Sequence, residues 1–355
     1  ALDRVAESDA ARYHAYVQWL CTLQVANLGR TLRLYDVDLL LDLPLGTHAQ
    51  GYDVWRRRDA FVEGVSMGAP PDGFFTGGQT WGLAPLHPER ARADGHAYWR
   101  RCLAFQMEVA DALRIDHVMG LHRLFWVPDG FPPTEGVYVR NHADELYALL
   151  CLESQRHGCR VVGEDLGTVP PEVREEMARR DVARTVVAQF ELPGSAGDAA
   201  SSPPVASLAT MNTHDTPPFL RYWEAGDVDD RVEHGWLDPE EAEAERAGRR
   251  RSLEATAGWL EKAGYLAPGA PHGAGEVLAG LLAWLGASRA EMAVATLEDL
   301  WLEDQPQNVP GTGAERGNWS RRTREPLEAW TADPAAQRRL LALFREDAHG
   351  GDGSE

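Results

Sequence analysis

The chain has 355 residues, 44% of them apolar, and carries 35 Lys and Arg against 55 Asp and Glu, a net charge of −20. That length and apolar content suffice for one large domain or two smaller ones around a sizeable core, which excludes global disorder. The acidic surplus excludes a nucleic-acid partner, because phosphate contacts need clustered cations, and it argues against an anionic membrane surface. Lys262 is the sole lysine, a bias of codon usage and not of chemistry. Cys21, Cys102, Cys151 and Cys159 form no CxxC pair and no zinc spacing, and they read as buried free thiols of a cytoplasmic protein. No apolar run approaches the ~18 residues of a membrane span.

Taken in chain order, residues 9–28 predict a helix with Tyr13, Tyr16, Val17, Leu20, Leu23 and Ala26 on one apolar stripe. Leu32 to Asp42 reads as a β-rich run. From Leu43 to about Leu86 the chain is rich in Gly, Pro and aromatic residues and reads as a long loop, a kind of connection that is usually functional. Residues 88–110 are helical in pattern. Strands follow at Ala112–Asp116, Arg160–Glu164, Thr185–Glu191, Ser207–Asp215 and Met292–Asp299, with helices at 143–157, 171–180, 238–262 and 275–290. Gly194–Pro204 is a loop of small residues, and the last ten residues, 346–355, read as a disordered tail.

Strands alternating with helices predict a parallel sheet. The strands end repeatedly in an acid: Asp42, Asp116, Glu164, Glu191, Asp215 and Asp299. In a (β/α)8 barrel the strand C-termini form the catalytic face. The expected fold is therefore α/β, a TIM barrel with about six of its eight strands. Its partial barrel runs over 1–345, with inserted loops at 43–86 and 217–290.

Asp116, Glu164 and Asp215 each follow an apolar strand in a polar setting of Arg, His or Gly. Converging carboxylates suit glycosidic chemistry, in which one acid attacks or stabilises the oxocarbenium-like centre and another, with raised pKa, protonates the leaving oxygen. Arg114 lies two residues before Asp116, on the same strand face, where a cation favours the ionised form of Asp116. Two other readings stand beside this one. Such acids also cap helices, and carboxylate clusters also take magnesium or calcium. Trp55, Phe74, Phe75, Trp81, Phe125 and Trp126 lie in or near predicted connections, where rings stack on sugars or simply pack in a core. Gln79, Asp53 and His122 would serve sugar hydroxyls. Gly77-Gly78 is no phosphate loop, since no Gly-Lys-Ser/Thr follows. His48, His87, His96 and His142 lack ligand spacing and read as surface groups.

Several strings resemble the 4-α-glucanotransferases, the amylomaltase or disproportionating-enzyme family, glycoside hydrolase family 77. They are Asp42-Leu43-Pro44-Leu45-Gly46, Gly51-Tyr52-Asp53-Val54-Trp55, Gly68-Ala69-Pro70-Pro71-Asp72, Gln79-Thr80-Trp81-Gly82, Arg114-Ile115-Asp116-His117, Gly163-Glu164-Asp165-Leu166-Gly167 and Thr213-His214-Asp215. Leu297-Glu298-Asp299-Leu300, Pro306-Gln307-Asn308-Val309-Pro310-Gly311-Thr312 and Gly317-Asn318-Trp319 resemble its C-terminal part. The resemblance runs from about Tyr13 to Leu343, and so many strings in order are implausible by chance.

The resemblance implies transfer of α-1,4-glucan segments to the 4-OH of an acceptor sugar by retaining double displacement, without a cofactor or metal. Asp116 matches the nucleophile, Glu164 the general acid/base and Asp215 the third acid. Substrate-binding candidates are Asp42, Asp53, Trp55, Gln79, Trp81, Arg114, His117 and His214. A retaining enzyme places its two carboxyls about 5–5.5 Å apart. The partners implied are α-1,4-glucans and maltooligosaccharides, and oligomeric state is left open. The segment Gly68–Gly82 is expected to overhang the site and exclude water, favouring transfer over hydrolysis. The resemblance also implies a C-terminal portion that begins near the helix before the third barrel strand. An α-amylase-like hydrolase and an inactive glucan-binding fragment are the alternatives.

Overall fold

The computed structural model describes residues 8–72, 77–269 and 271–344. They fall into two compact units, one drawn from residues 1–69 and 81–182, the other from 70–80 and 183–355.

The first unit opens with helix α1 (Asp9–Leu34), whose Ser8 side chain accepts the Ala11 N–H as N-cap. The helix runs past residue 28 because Thr31–Leu34 continue it, so the expected β-rich run shrinks to β1 (Leu40–Leu43). The predicted apolar stripe is not a core face: Tyr13, Tyr16, Val17 and Leu23 are exposed, and Gly29 is the helix's buried residue.

The segment predicted as loop is structured. It holds a short helix α2 (Tyr52–Arg56) and strands β2 (Val65–Ala69) and β3 (Gln79–Leu83). Helices α3 (Pro88–Ala93) and α4 (Ala97–Met107) replace the single helix expected over 88–110, broken at Asp94-Gly95-His96, where Gly95 and His96 take positive φ. Strand β4 (Ala112–Ile115) follows, then β5 (Arg123–Pro128), β6 (Val137–Arg140), helix α5 (Ala143–His157), strand β7 (Arg160–Gly163) and helix α6 (Pro171–Arg179). β2, β5 and β6 pair antiparallel, with Met67 opposite Trp126 and Phe125 opposite Tyr138. Phe125 and Trp126 are thus strand residues. Phe125 is buried edge-on to Tyr138, as core packing requires.

β1, β4 and β7 are parallel and in register, Leu43 beside Ile115 and Ile115 beside Gly163. Alternate side chains face opposite sides. Leu43, Leu113, Ile115 and Val161 pack with Leu103 and Met107 of α4, Tyr147 and Leu150 of α5, and Val173 and Met177 of α6. Asp42, Arg114 and Val162 take the other face. Gly163 belongs to the helix-facing set, where a Cβ would lie 2.8 Å from Met177 Cε and 3.0 Å from Val118 Cβ, so a larger residue would have to displace both.

The second unit holds the parallel strands β8 (Ala183–Val187), β9 (Ser207–Thr210) and β10 (Met292–Val294). Its helices are α7 (Phe219–Trp223), α8 (Gly226–Glu233), α9 (Pro239–Lys262), α10 (Ala274–Gly286), α11 (Leu297–Leu300), α12 (Leu327–Ala332) and α13 (Pro334–Ala342). Asp238 caps α9 and Pro239 starts it, while Glu240 and Glu241 suit its N-terminal dipole. Apolar α10 is buried along its length, with Leu278, Leu281 and Leu282 against Leu260, Met211 and Phe219. The stretch 217–290 is thus mostly helix.

These strands are shorter than predicted. Glu191 follows a 3-10 turn (Ala188–Phe190), Asp215 lies in a turn beyond β9, and Asp299 sits inside α11, so none of the three ends a strand. All four cysteines are free, but Cys159 alone is buried. His96 is not a surface group: it is buried and its Nε2 lies 2.9 Å from Glu145 Oε2. Phe74, Phe75 and the tail at 346–355 lie outside the described residues. Among those described, no helix is long and apolar enough to cross a membrane.

Candidate active site

In the first unit, Asp42 of β1 lies beside Arg114 of β4, which lies beside Val162 of β7. One step beyond the paired residues Ile115 and Gly163, the chain delivers Asp116 and Glu164 as neighbours on adjacent strands, which stand about 4.8 Å apart in any sheet. Two residues on from Arg114 and Val162, they share the face of Asp42. Arg114 Nη1 reaches both oxygens of Asp42 at 2.8 Å and Asp116 Oδ1 at 3.1 Å. The Leu45 N–H donates to Asp116 Oδ2 at 3.4 Å.

Glu164 is held at both oxygens. Oε1 accepts the Leu166 N–H at 2.8 Å and Oε2 the His117 N–H at 2.9 Å. Burial pushes its carboxyl up to about 7, with the Asp116 charge adding to the rise, against the pull of the two N–H groups and Arg114. Burial lowers Arg114, but Asp42, Asp116 and Glu164 outweigh it and raise the guanidinium further. Burial also lowers His117, against the pull of Asp116. The result is a pair of neighbouring carboxyls in different settings, one beside a fixed cation and one able to carry a proton near neutrality.

Trp81 of β3 presents its ring edge-on to His117, with centroids 5.4 Å apart. A cavity of about 310 Å³ within this unit is lined by Asp116, His117, Leu45, Thr47, Asp53 and Tyr98, among others. Asp53, in the first turn of α2, and Cys102 hydrogen-bond the Tyr98 hydroxyl, whose pKa is raised by burial first and then by these neighbours. Trp55, on the same helix, does not line the cavity and packs instead against Tyr52 at 5.8 Å. His122 is bound to Tyr147, its Nε2 3.3 Å from the hydroxyl.

The second unit carries Asp215 and His214. His214 Nε2 lies 3.3 Å from Asp215 Oδ2, and Asn308 Nδ2 donates to Asp215 Oδ1 at 2.6 Å. The ring of Trp319 lies 5.3 Å from that of His214. Trp319 is exposed and takes a left-handed backbone, φ 59, with its N–H donating to Gln307 O at 2.9 Å. Gln79 also falls in this unit, at the start of β3. Asn308 and Trp319 are site neighbours that periodicity could not reveal. Their signal lay in the motif strings around Pro306–Thr312 and Gly317–Trp319. Asp299 is 1% exposed and accepts the Phe219 N–H and Asn212 Nδ2, each at 2.8 Å. Burial pushes its carboxyl up to about 6 against those bonds.

Parallel strands alternating with helices, six of them in one sheet among the described residues, with Asp116 and Glu164 directly after β4 and β7, make an incomplete (β/α)8 barrel of glycosidase type. The fold matches the crystal structure of amylomaltase from Corynebacterium glutamicum at a TM-score of 0.82 and 28% identity, over 94% of this chain and 50% of that one. It also matches the amylomaltase from Streptococcus agalactiae, solved in complex with acarbose, at a TM-score of 0.71, 18% identity, and 94% and 63% coverage. The chain belongs to the 4-alpha-glucanotransferase family, whose model spans residues 1–328. The 4-alpha-glucanotransferase of Mycobacterium tuberculosis is 36% identical over 320 residues, 88% of this chain and 44% of the relative. That of Haemophilus influenzae is 32% identical over 327 residues, 89% and 46%. The chain thus spans a little under half the length of these curated relatives.

Proposed function

We propose that these residues perform 4-α-glucan transfer, with Asp116 as nucleophile, Glu164 as general acid/base and Asp215 as third acid. The observation that carries this reading is the in-register pairing that makes Asp116 and Glu164 neighbours while giving them opposite settings. In the first step the Asp116 carboxylate bonds to C1 of the donor sugar as the glycosidic C1–O bond breaks, and Glu164 gives its proton to the departing 4-oxygen. In the second step Glu164 takes the proton of an acceptor 4-OH, whose oxygen displaces Asp116 from C1. Configuration at C1 is retained, and neither step needs a cofactor.

Arg114 shares its one positive charge between Asp42 and Asp116 and steadies both. Asp42, His117 and Trp81 border the reacting sugar, and Asp215 with His214 binds its hydroxyls. Asp53 is a weaker substrate contact, since Tyr98 already engages it. Trp55 and Gln79 would bind more remote sugars. The substrates are α-1,4-glucans and maltooligosaccharides, and four free cysteines suit a reducing, cytoplasmic setting.

Incubation with maltotriose tests this. Glucose together with maltooligosaccharides longer than the substrate is expected. Smaller products alone would assign an α-amylase-like hydrolase. Binding without turnover would assign a glucan-binding fragment.

A further inference from the structure

We propose that Asp299 is a positioning residue for the third acid: it clamps both ends of the 212–219 loop, which presents His214 and Asp215. The proposal rests on the functional reading above.

The loop leaves β9 through Asn212 and enters α7 at Phe219, and both anchors are buried, at 3% and 0% exposure. One oxygen of Asp299 receives the Phe219 N–H at 2.8 Å and the other receives Asn212 Nδ2 at 2.8 Å. The Asn212 amide is fixed further, since its Oδ1 accepts from Thr296 Oγ1 at 3.1 Å and its backbone O from Thr210 Oγ1 at 2.9 Å. Between these anchors the loop is closed on itself. The Thr213 N–H donates to Thr216 Oγ1 at 2.8 Å, and the Asp215 N–H to Thr213 Oγ1 at 3.2 Å. The tip, by contrast, is open: the His214 and Asp215 side chains are 39% and 48% exposed.

A short loop with fixed ends and internal turns has few ways to move its tip. A carboxylate is an acceptor at both oxygens, which suits two converging N–H donors. Burying it is costly unless those bonds are made, and an apolar residue would fill a purely structural core position at lower cost. Asp299 touches neither sugar nor reacting atoms on this reading. It acts through the placement of Asp215, which Asn308 also holds.

The expected consequences differ from those of lost stability alone. In Asp299→Ala both anchors lose their acceptor, so amide hydrogen exchange should rise at Thr213–Phe219 while other segments keep their protection. Transfer from maltotriose should lose kcat by about 10–100-fold with KM changed less than about threefold, because misplacement of a positioned group costs rate. Asp299→Asn should restore most of it, since an amide flip at Asn212, with the Thr296 hydroxyl turned to accept the flipped Nδ2, lets the new side chain satisfy both anchors. In an Asp215→Asn background, Asp299→Ala should cost less than about twofold more, because its target is already gone.

Unchanged exchange and kcat in Asp299→Ala would overturn the proposal. So would an equal loss with and without Asp215. Should Asp299→Ala fail to fold, Asn212→Ala removes one anchor only, and the same loop-confined exchange and kcat loss are expected of it; their absence overturns the proposal equally. A wild-type chain without transfer activity would sink the functional reading, whereas the exchange comparison would still decide the clamp.

Discussion

The backbone N–H of His117 donates to the carboxylate of Glu164 at 2.9 Å. The residue that follows Asp116 therefore orients the neighbouring acid, and the turn after β4 sets both carboxyls at once. His117 takes a left-handed backbone there, φ 46.

Replacement of Asp116 by Asn removes the charged oxygen that would bond to C1. Transfer should fall to background, read as glucose released from maltotriose. Full activity in the variant would make the nucleophile assignment wrong.

Glu164 must carry a proton in the first step, and its carboxyl sits at about 7. Transfer should decline as pH rises through that value. Glu164→Gln should lose about 10²–10⁴-fold with ordinary glucans, yet recover the first step with an α-glucosyl fluoride, whose leaving group needs no proton. The same shift bears on stability. A carboxyl raised from 4.5 to about 7 by folding binds its proton more tightly in the native state, so stability falls as pH rises through that window. Urea unfolding of wild type against Glu164→Gln at several pH values checks this: the slope between these values should flatten in the variant.

Arg114 pulls Glu164 down. Arg114→Met should therefore move the basic limb of the activity profile upward, while lowering kcat by loosening Asp42 and Asp116. A limb that stays in place would show that Arg114 does not act on Glu164.

Gly163→Ala would press a methyl group against Met177 and Val118. A loss of roughly 1–3 kcal/mol is expected in chemical denaturation. Measured in a Met177→Ala background, the Gly163→Ala loss should be smaller, because the nearer of the two contacts is gone.

Trp81→Ala opens the space beside His117. If the ring helps to exclude water, hydrolysis should gain on transfer, seen as reducing sugar formed per glucose released. An unchanged ratio would remove Trp81 from that role.

Local pattern carried the sequence reading well where a segment's structure is local. The helix expected at 143–157 is found over Ala143–His157, and Asp116 and Glu164 do follow directly on their strands. It failed where distant partners decide. Residues 43–86 look like loop because Gly and Pro break their periodicity, yet β2 is a strand because β5 pairs with it. His96 looks like a surface group until Glu145, 49 residues on, accepts it. Asn308 meets Asp215 across 93 residues, a separation that no local spacing encodes. Asp299 was legible as an acid near a strand, but not as a buried acceptor inside a helix, because its donors lie 80 and 87 residues away.

The registered strands also constrain what length changes this fold can bear. Asp116 and Glu164 stand at even offsets from Arg114 and Val162, so the parity of β4 and β7 decides which way each acid points. One residue inserted within β7 would send Glu164 toward Val173 and Met177, among apolar side chains, and bring Gly163 to the open face. Two residues would restore the direction but carry the acid about 6.6 Å past its neighbour. A change of length within β4 or β7 is therefore expected to cost the site at once, and so is one in the turns directly after them, where the His117 and Leu166 N–H groups hold Glu164.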